Sequence, residues 1–279
     1  MTMYSHLQDR ARAEKPVTLD SLRHMKASGE KIACLTAYDA SFAATVDAAG
    51  TDLVLVGDSL GMVIQGHDTT VPVTVADMVY HTRCVRRGVR RAFLVADMPF
   101  GSYALPEPAF ANAVRLMQEG GAAMVKLEGG ALQVRTVEFL ASRDIPVCAH
   151  IGLTPQSIHK LGGFKVQGRE QQTAQQMLAD AHALQEAGAD IVLLECVPSS
   201  LGQAIAAALA VPVIGIGAGP EVDGQILVLY DILSVTVGRK PRFARDFLAD
   251  SGNGVPGALA AYVAAVKDGS YPAPEHCFT

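Results

Sequence analysis

Three stretches of this chain share one grammar: a helix-ending glycine, an apolar run, then an acid. They are Gly50-Thr51-Asp52-Leu53-Val54-Leu55-Val56-Gly57-Asp58, Gly121-Ala122-Ala123-Met124-Val125-Lys126-Leu127-Glu128, and Gly188-Ala189-Asp190-Ile191-Val192-Leu193-Leu194-Glu195. The runs are nearly continuous in apolar residues, which a strand tolerates when both its faces are covered, as in a parallel sheet flanked by helices. Further runs lie at Lys31 to Tyr38, Ala92 to Asp97, Ile145 to His150, Val211 to Ile216 and roughly Ile226 to Leu233. Eight runs alternating with seven or eight helical segments, joined by short connections, predict a closed (β/α)8 TIM barrel in a single α/β domain. A doubly wound sheet is the alternative. No early strand leads into a helix-opening Gly-x-Gly-x-x-Gly, so a dinucleotide fold has little support.

Helix signals place the spacers. Thr18 can cap a helix to Ser28, with Leu19, Leu22 and Met25 on one face and Gly29 as its stop. This helix precedes the first strand, so it is placed to plug the bottom of a barrel. Thr74 caps a second helix, whose Val75, Met78, Val79, Thr82 and Val85 follow helical spacing and which ends in Arg86-Arg87-Gly88. The pairs Arg86-Arg87 and Arg90-Arg91 read as a solvated helix end. Residues 1–16 read as a polar arm, and residues 17–279 as the barrel domain with C-terminal helices from Phe243 to Val266. The glycine-rich segment from Gly162 to Arg169 has the composition of a mobile lid.

The 279 residues, 49% of them hydrophobic, suffice for one large core. A net charge of −5 argues against a partner such as nucleic acid or an anionic membrane, which would need a basic face. The five cysteines are scattered without a Cys-x-x-Cys, so neither a disulfide framework nor a zinc site is expected. The polar N-terminal residues lack the apolar core of a signal peptide, and no apolar run approaches the roughly 18 residues of a membrane span. A cytoplasmic protein is the resulting expectation.

In a barrel of this kind, chemistry sits at the carboxyl ends of the strands. The ionisable ends are Asp58, Asp97, Lys126 with Glu128, His150 and Glu195, contributed by strands two to six in succession. Lys126 and Glu128 are two apart and therefore point the same way from a strand. Carboxylates converging on one rim repel unless a cation sits among them. Oxygen donors without a Cys/His cluster suit Mg2+, placed among Asp58, Asp97 and Glu128. Apolar Leu193 and Leu194 would raise the Glu195 carboxyl toward the range of a useful base. A fourth metal ligand or a partner for Lys126 remain open roles for it. His150 reads as a hydrogen-bonding group toward a ligand or the rim, or as a structural histidine. The run Gly215-Ile216-Gly217-Ala218-Gly219 lies where barrels often bind anions, although a tight turn explains it as well.

Several long motifs occur in order: Leu35-Thr36-Ala37-Tyr38-Asp39, Val56-Gly57-Asp58-Ser59-Leu60-Gly61-Met62, Gln65-Gly66-His67-Asp68, Lys126-Leu127-Glu128-Gly129-Gly130, His150-Ile151-Gly152-Leu153-Thr154-Pro155-Gln156, Val166-Gln167-Gly168-Arg169 and Leu194-Glu195-Cys196-Val197-Pro198. With these the chain resembles the ketopantoate hydroxymethyltransferase family from about Thr18 to His276. The resemblance implies Mg2+ on Asp58, Asp97 and Glu128. It implies a 2-oxo acid, 3-methyl-2-oxobutanoate, against Asp58, Ser59, Asp97 and Lys126, and Glu195 as the base. It implies 5,10-methylenetetrahydrofolate as co-substrate and a homo-oligomer, a decamer or related ring. Two rival readings are a Mg2+-dependent carbon–carbon lyase or mutase of the phosphoenolpyruvate/isocitrate-lyase type, and a catalytically silent barrel that binds a 2-oxo acid.

Overall fold

The eight strands pair in sequence order, all parallel, and β8 closes back onto β1 to complete the barrel. The computed structural model describes residues 15–236 and 240–279, so nearly all of the expected polar arm lies outside the described residues. The strands are β1 Ile32–Thr36, β2 Leu53–Val56, β3 Phe93–Asp97, β4 Met124–Glu128, β5 Val147–Gly152, β6 Ile191–Glu195, β7 Val213–Ile216 and β8 Gly224–Leu227. Nearly every strand residue is buried, as unbroken apolar runs covered on both faces require.

Both helix starts read from the sequence carry reciprocal caps. Thr18 accepts from Ser21 N–H while Ser21 returns a bond to the Thr18 backbone, and Gly29 ends the helix Leu19–Ser28 at φ 75°. Thr74 and Asp77 form the same box at the head of the helix Val75–Gly88. The first helix closes the amino-terminal end of the barrel. Leu22 is fully buried, Lys26 bonds Ala206 O and Asp223, Arg23 pairs with Asp190, and Val17 N–H donates to Arg91 O. Those partners all lie just before strands or at a helix C-terminus, which is the bottom of the barrel.

The structure corrects several expectations. The last strand is Gly224–Leu227, and Leu229–Ile232 is a helical turn, so the apolar run to Leu233 is only partly strand. Its start is hidden in sequence because Gly224 and Gln225 look like a loop. Gly224 is needed there, since a Cβ would lie 2.5 Å from Ile32 O. The C-terminal helical stretch is two helices, Phe247–Ser251 and Gly254–Lys267, divided by Gly252 at φ 65°. Arg91 is no solvated helix end: its guanidinium bonds Gly50 O, Thr51 O and Asp52. The segment expected as a lid has neither helix nor strand over 162–170, and Gln167 N–H donates to Cys196 O (2.9 Å) beside the site described next.

Candidate active site

The barrel register brings the expected rim residues together. Asp97 and Lys126 are paired across β3 and β4, and Glu128 and His150 across β4 and β5. Asp58 lies just beyond the end of β2, and its N–H donates to Asp97 Oδ2 at 2.9 Å. Asp58, Asp97, Lys126, Glu128 and His150 are each no more than 5% exposed. Burying four ionisable groups and an imidazole together is costly unless they compensate one another or a ligand does so.

Lys126 is the hub. Its Nζ lies 2.6 Å from Asp97 Oδ1, 3.9 Å from Glu128 Oε1 and 3.3 Å from His150 Nδ1. Burial alone would depress its pKa, but Asp97, Glu128 and Asp58 outweigh burial and hold the ammonium above its ordinary value. The acids bear the opposite strain. Burial, then repulsion from Asp97 and Glu128, pushes the Asp58 carboxyl well above the usual carboxylate range. Burial lifts Glu128 to about 7 against the pull of Lys126. One ammonium does not neutralise three carboxylates.

His150 connects this cluster to Glu195. An ammonium can only donate, so His150 Nδ1 accepts from Lys126 and the ring proton sits on Nε2. That nitrogen faces Glu195 Oε2 at 3.3 Å, off the line of a good hydrogen bond. Burial, helped by the Lys126 charge, lowers the His150 pKa and favours this neutral ring. Glu195 ends β6, and burial raises its carboxyl as the apolar neighbours led one to expect. The backbone around it is special. Cys196 adopts φ 49°, a conformation that costs a non-glycine residue about 1 kcal/mol or more. Opposite, Gly152 lies at φ 95°, where a Cβ would come within 2.3 Å of Glu195 O. Ser59 stands at the rim with its hydroxyl 2.8 Å from that of the buried Tyr38.

Three residues of this site were not singled out from the sequence. Gln156 bonds Asp58, Met98 O and Glu128, Tyr103 bonds Gln156 and Glu128, and Tyr38 bonds Ser59. Gln156 and Tyr38 fall inside quoted motifs, which was the available signal. Tyr103, in the loop after β3, carries none. The Gly215–Gly219 turn is packed against protein: Gly217 at φ 62° faces Phe243 and Phe278, and Gly219 at φ 85° faces Ser199.

The donor set suits a hard divalent cation in kind, being buried carboxylate oxygens short of positive charge. Among the described residues, no three His, Cys, Asp or Glu side chains gather closely enough to hold a metal by themselves. Mg2+ commonly binds through one or two carboxylates with water and substrate completing the shell, so the residues still fit it. No described helix is long and apolar enough to cross a membrane.

The chain is similar to known proteins both in sequence and in fold. The family model described as ketopantoate hydroxymethyltransferase matches residues 16–274. A 3-methyl-2-oxobutanoate hydroxymethyltransferase of Alkalilimnicola ehrlichii is 58% identical over 270 residues, covering 97% of each chain. One from Halorhodospira halophila is 61% identical over 262 residues, covering 94% of each. Among solved structures, a phosphonomutase-like protein from Burkholderia cenocepacia superposes with a TM-score of 0.61 at 18% identity, over 76% of this chain and 93% of that one. A phosphonopyruvate hydrolase, solved with oxalate and Mg2+, gives 0.58 at 15% identity over 75% and 80%. At such identities the structural likeness shows the fold alone, and it agrees with the closed barrel.

Proposed function

The chain belongs to the ketopantoate hydroxymethyltransferase family, and from that premise we propose that it transfers a hydroxymethyl group from 5,10-methylenetetrahydrofolate to 3-methyl-2-oxobutanoate, forming ketopantoate. The observation that carries the reading is the buried Lys126 among Asp58, Asp97 and Glu128, with Glu195 facing it across His150. Proton removal next to a carbonyl needs a base on one side of the substrate and positive charge where the oxyanion develops. Glu195 and Lys126 supply this pair.

The 2-oxo acid binds between them, against Asp58, Ser59, Asp97 and Lys126. Lys126 donates toward the 2-oxo oxygen as charge builds on it. Glu195 takes the proton from C3. The carbon so formed attacks the methylene carbon as one of its two C–N bonds to the folate breaks. Water then displaces the second folate nitrogen, leaving its hydroxyl on the transferred carbon. The proton from C3 and one from water end on the two freed nitrogens of tetrahydrofolate. His150, neutral with its ring proton on Nε2, lies beside the Glu195 carboxylate at 3.3 Å and lines the site between the base and Lys126. Asp58, Asp97 and Glu128 would hold Mg2+, some of them through water. When bound, Mg2+ supplies Lewis-acid polarisation of a carbonyl. The same reading places the protein in the cytoplasm as a homo-oligomer, the decamer that the resemblance implies. A monomer in sedimentation would remove that part. The close sequence relatives favour the transferase over the lyase or mutase reading, and a complete base–lysine pair is more than a silent binding barrel needs.

The test follows the C3 proton of 3-methyl-2-oxobutanoate by NMR in deuterated water. Wild-type protein with Mg2+ should exchange it, and adding methylenetetrahydrofolate should then yield ketopantoate. Glu195→Gln should slow exchange by about 10²- to 10⁴-fold while the fold melts normally. Because burial raises the Glu195 carboxyl, the wild-type rate should climb with pH through a range above that of an ordinary carboxylate. Exchange by Glu195→Gln at the wild-type rate would assign the base elsewhere.

A further inference from the structure

The side chain of Gln156 is used to its limit. It follows β5 in the short 3-10 turn Pro155–Ser157 and is 5% exposed. Its Nε2 donates to Asp58 Oδ2 at 2.8 Å and to Met98 O at 3.0 Å. Its Oε1 accepts from the Tyr103 hydroxyl. Its backbone N–H donates to Glu128 Oε2 at 3.0 Å. Tyr103, itself buried, accepts the Glu128 N–H at 3.2 Å, which frees the phenolic proton for Gln156. Carbonyl and carboxylate oxygens only accept, so the amide has one orientation and no spare donor. One residue therefore ties down acids delivered by β2 and β4, together with the loop after β3.

We infer that Gln156 is a positioning residue: it fixes the carboxylates of Asp58 and Glu128 in the orientation from which they bind a divalent cation and the 2-oxo acid. This rests on the function proposed above. The chemistry explains why an amide stands here. A lysine or arginine would neutralise Asp58 and compete with the cation. A glutamate would add another negative charge to a rim already short of positive charge. An amide holds a carboxylate without cancelling it. The bonds also use one oxygen of each acid, Oδ2 of Asp58 and Oε2 of Glu128, while Glu128 Oε1 stays turned toward Lys126 and His150. Partners of this kind around a metal ligand typically change metal affinity by about 10- to 100-fold when removed.

The experiment measures Mn2+ binding, as a stand-in for Mg2+, by calorimetric titration of the full chain in the absence of substrate. C3-proton exchange and thermal melting are followed beside it. Gln156→Met keeps the length and removes every side-chain hydrogen bond. It should weaken Mn2+ by about 10- to 100-fold and raise the KM for the 2-oxo acid. Tyr103→Phe keeps Gln156 but removes its anchor, and should move both quantities the same way by less. A folded Gln156→Met that binds Mn2+ and substrate as wild type does overturns the inference. If Gln156→Met does not fold, Tyr103→Phe decides, and wild-type Mn2+ affinity in that variant overturns it equally. A wild-type chain that neither binds Mn2+ nor exchanges the proton overturns the functional reading as well, whereas a competent wild type beside an unaffected variant overturns the role of Gln156 alone.

Discussion

At the amino-terminal ends of the strands, Asp52, Asp190 and Asp223 each accept a backbone N–H from a neighbouring strand and each meet a cation. Asp52 takes Ala33 N–H with Arg91 and Lys267, Asp190 takes Val147 N–H with Arg23, and Asp223 takes Val213 N–H with Lys26. At the carboxyl ends, Asp58, Asp97 and Glu128 instead gather round Lys126, and the Asp58 and Glu128 carboxyls are pushed upward. The same residue type is satisfied at one end and crowded at the other. The lower acids latch adjacent strands in register, and their work is finished when the barrel closes. The upper acids spend folding energy on an arrangement that only a ligand completes.

The contrast is broken most forcefully at Lys126. Lys126→Met leaves three buried carboxylates without their cation and removes the positive charge facing the oxyanion. C3-proton exchange should fall by at least about 10²- to 10³-fold, the loss typical of one oxyanion donor. Stability should fall as well, by about 3–5 kcal/mol if the acids stay charged. Running the denaturant melts at low pH should narrow that stability gap, because protonated carboxyls no longer need the lysine. Retained exchange in Lys126→Met would mean that the upper acids are structural like the lower ones.

Asp52 gives the complementary test. Its side chain is fully buried, while Arg91 and Lys267 are about a quarter exposed. Asp52→Ala should cost about 3 kcal/mol in urea melts, the low end for a broken buried pair because its cations still reach water. Below the melt, kcat should match wild type. A variant that is stable but inactive would contradict the division between the two ends.

The upper half of this division was legible in the residues, whereas Asp52, Asp190 and Asp223 at the lower end had no role read for them. The alternation that puts Lys126 and Glu128 on one face, the succession of rim acids and the two threonine caps are local properties with period or spacing, and all recur in the structure. What stayed hidden depends on distant partners. Gln156 reaches Asp58 across 98 positions and Tyr103 across 53, so no window along the chain reveals the network. Arg91 read as solvated because its neighbours are charged, yet its acceptors lie about 40 residues back. The start of β8 escaped because Gly224 is selected by the Ile32 carbonyl and not by strand propensity.

The smallest effect sharpens the comparison from the other side, since not every acid facing the upper end is crowded. Asp77 opens the helix Val75–Gly88 after β2, and both groups it needs are at hand: Thr74 N–H at 2.9 Å and the Thr74 hydroxyl at 2.5 Å. These bonds hold its carboxyl below the usual value, in contrast to Asp58 on the same rim. A carboxyl depressed in the folded state contributes stability that is present above its unfolded pKa of about 3.9 and is lost as pH falls through the folded value. The contribution is small because Asp77 is only partly buried. Thr74→Ala should therefore cost about 1 kcal/mol at neutral pH, with exchange unchanged, and the gap to wild type should shrink as pH is lowered below 4. If instead the substitution slowed exchange as much as it lowered stability, Asp77 would belong with the crowded acids.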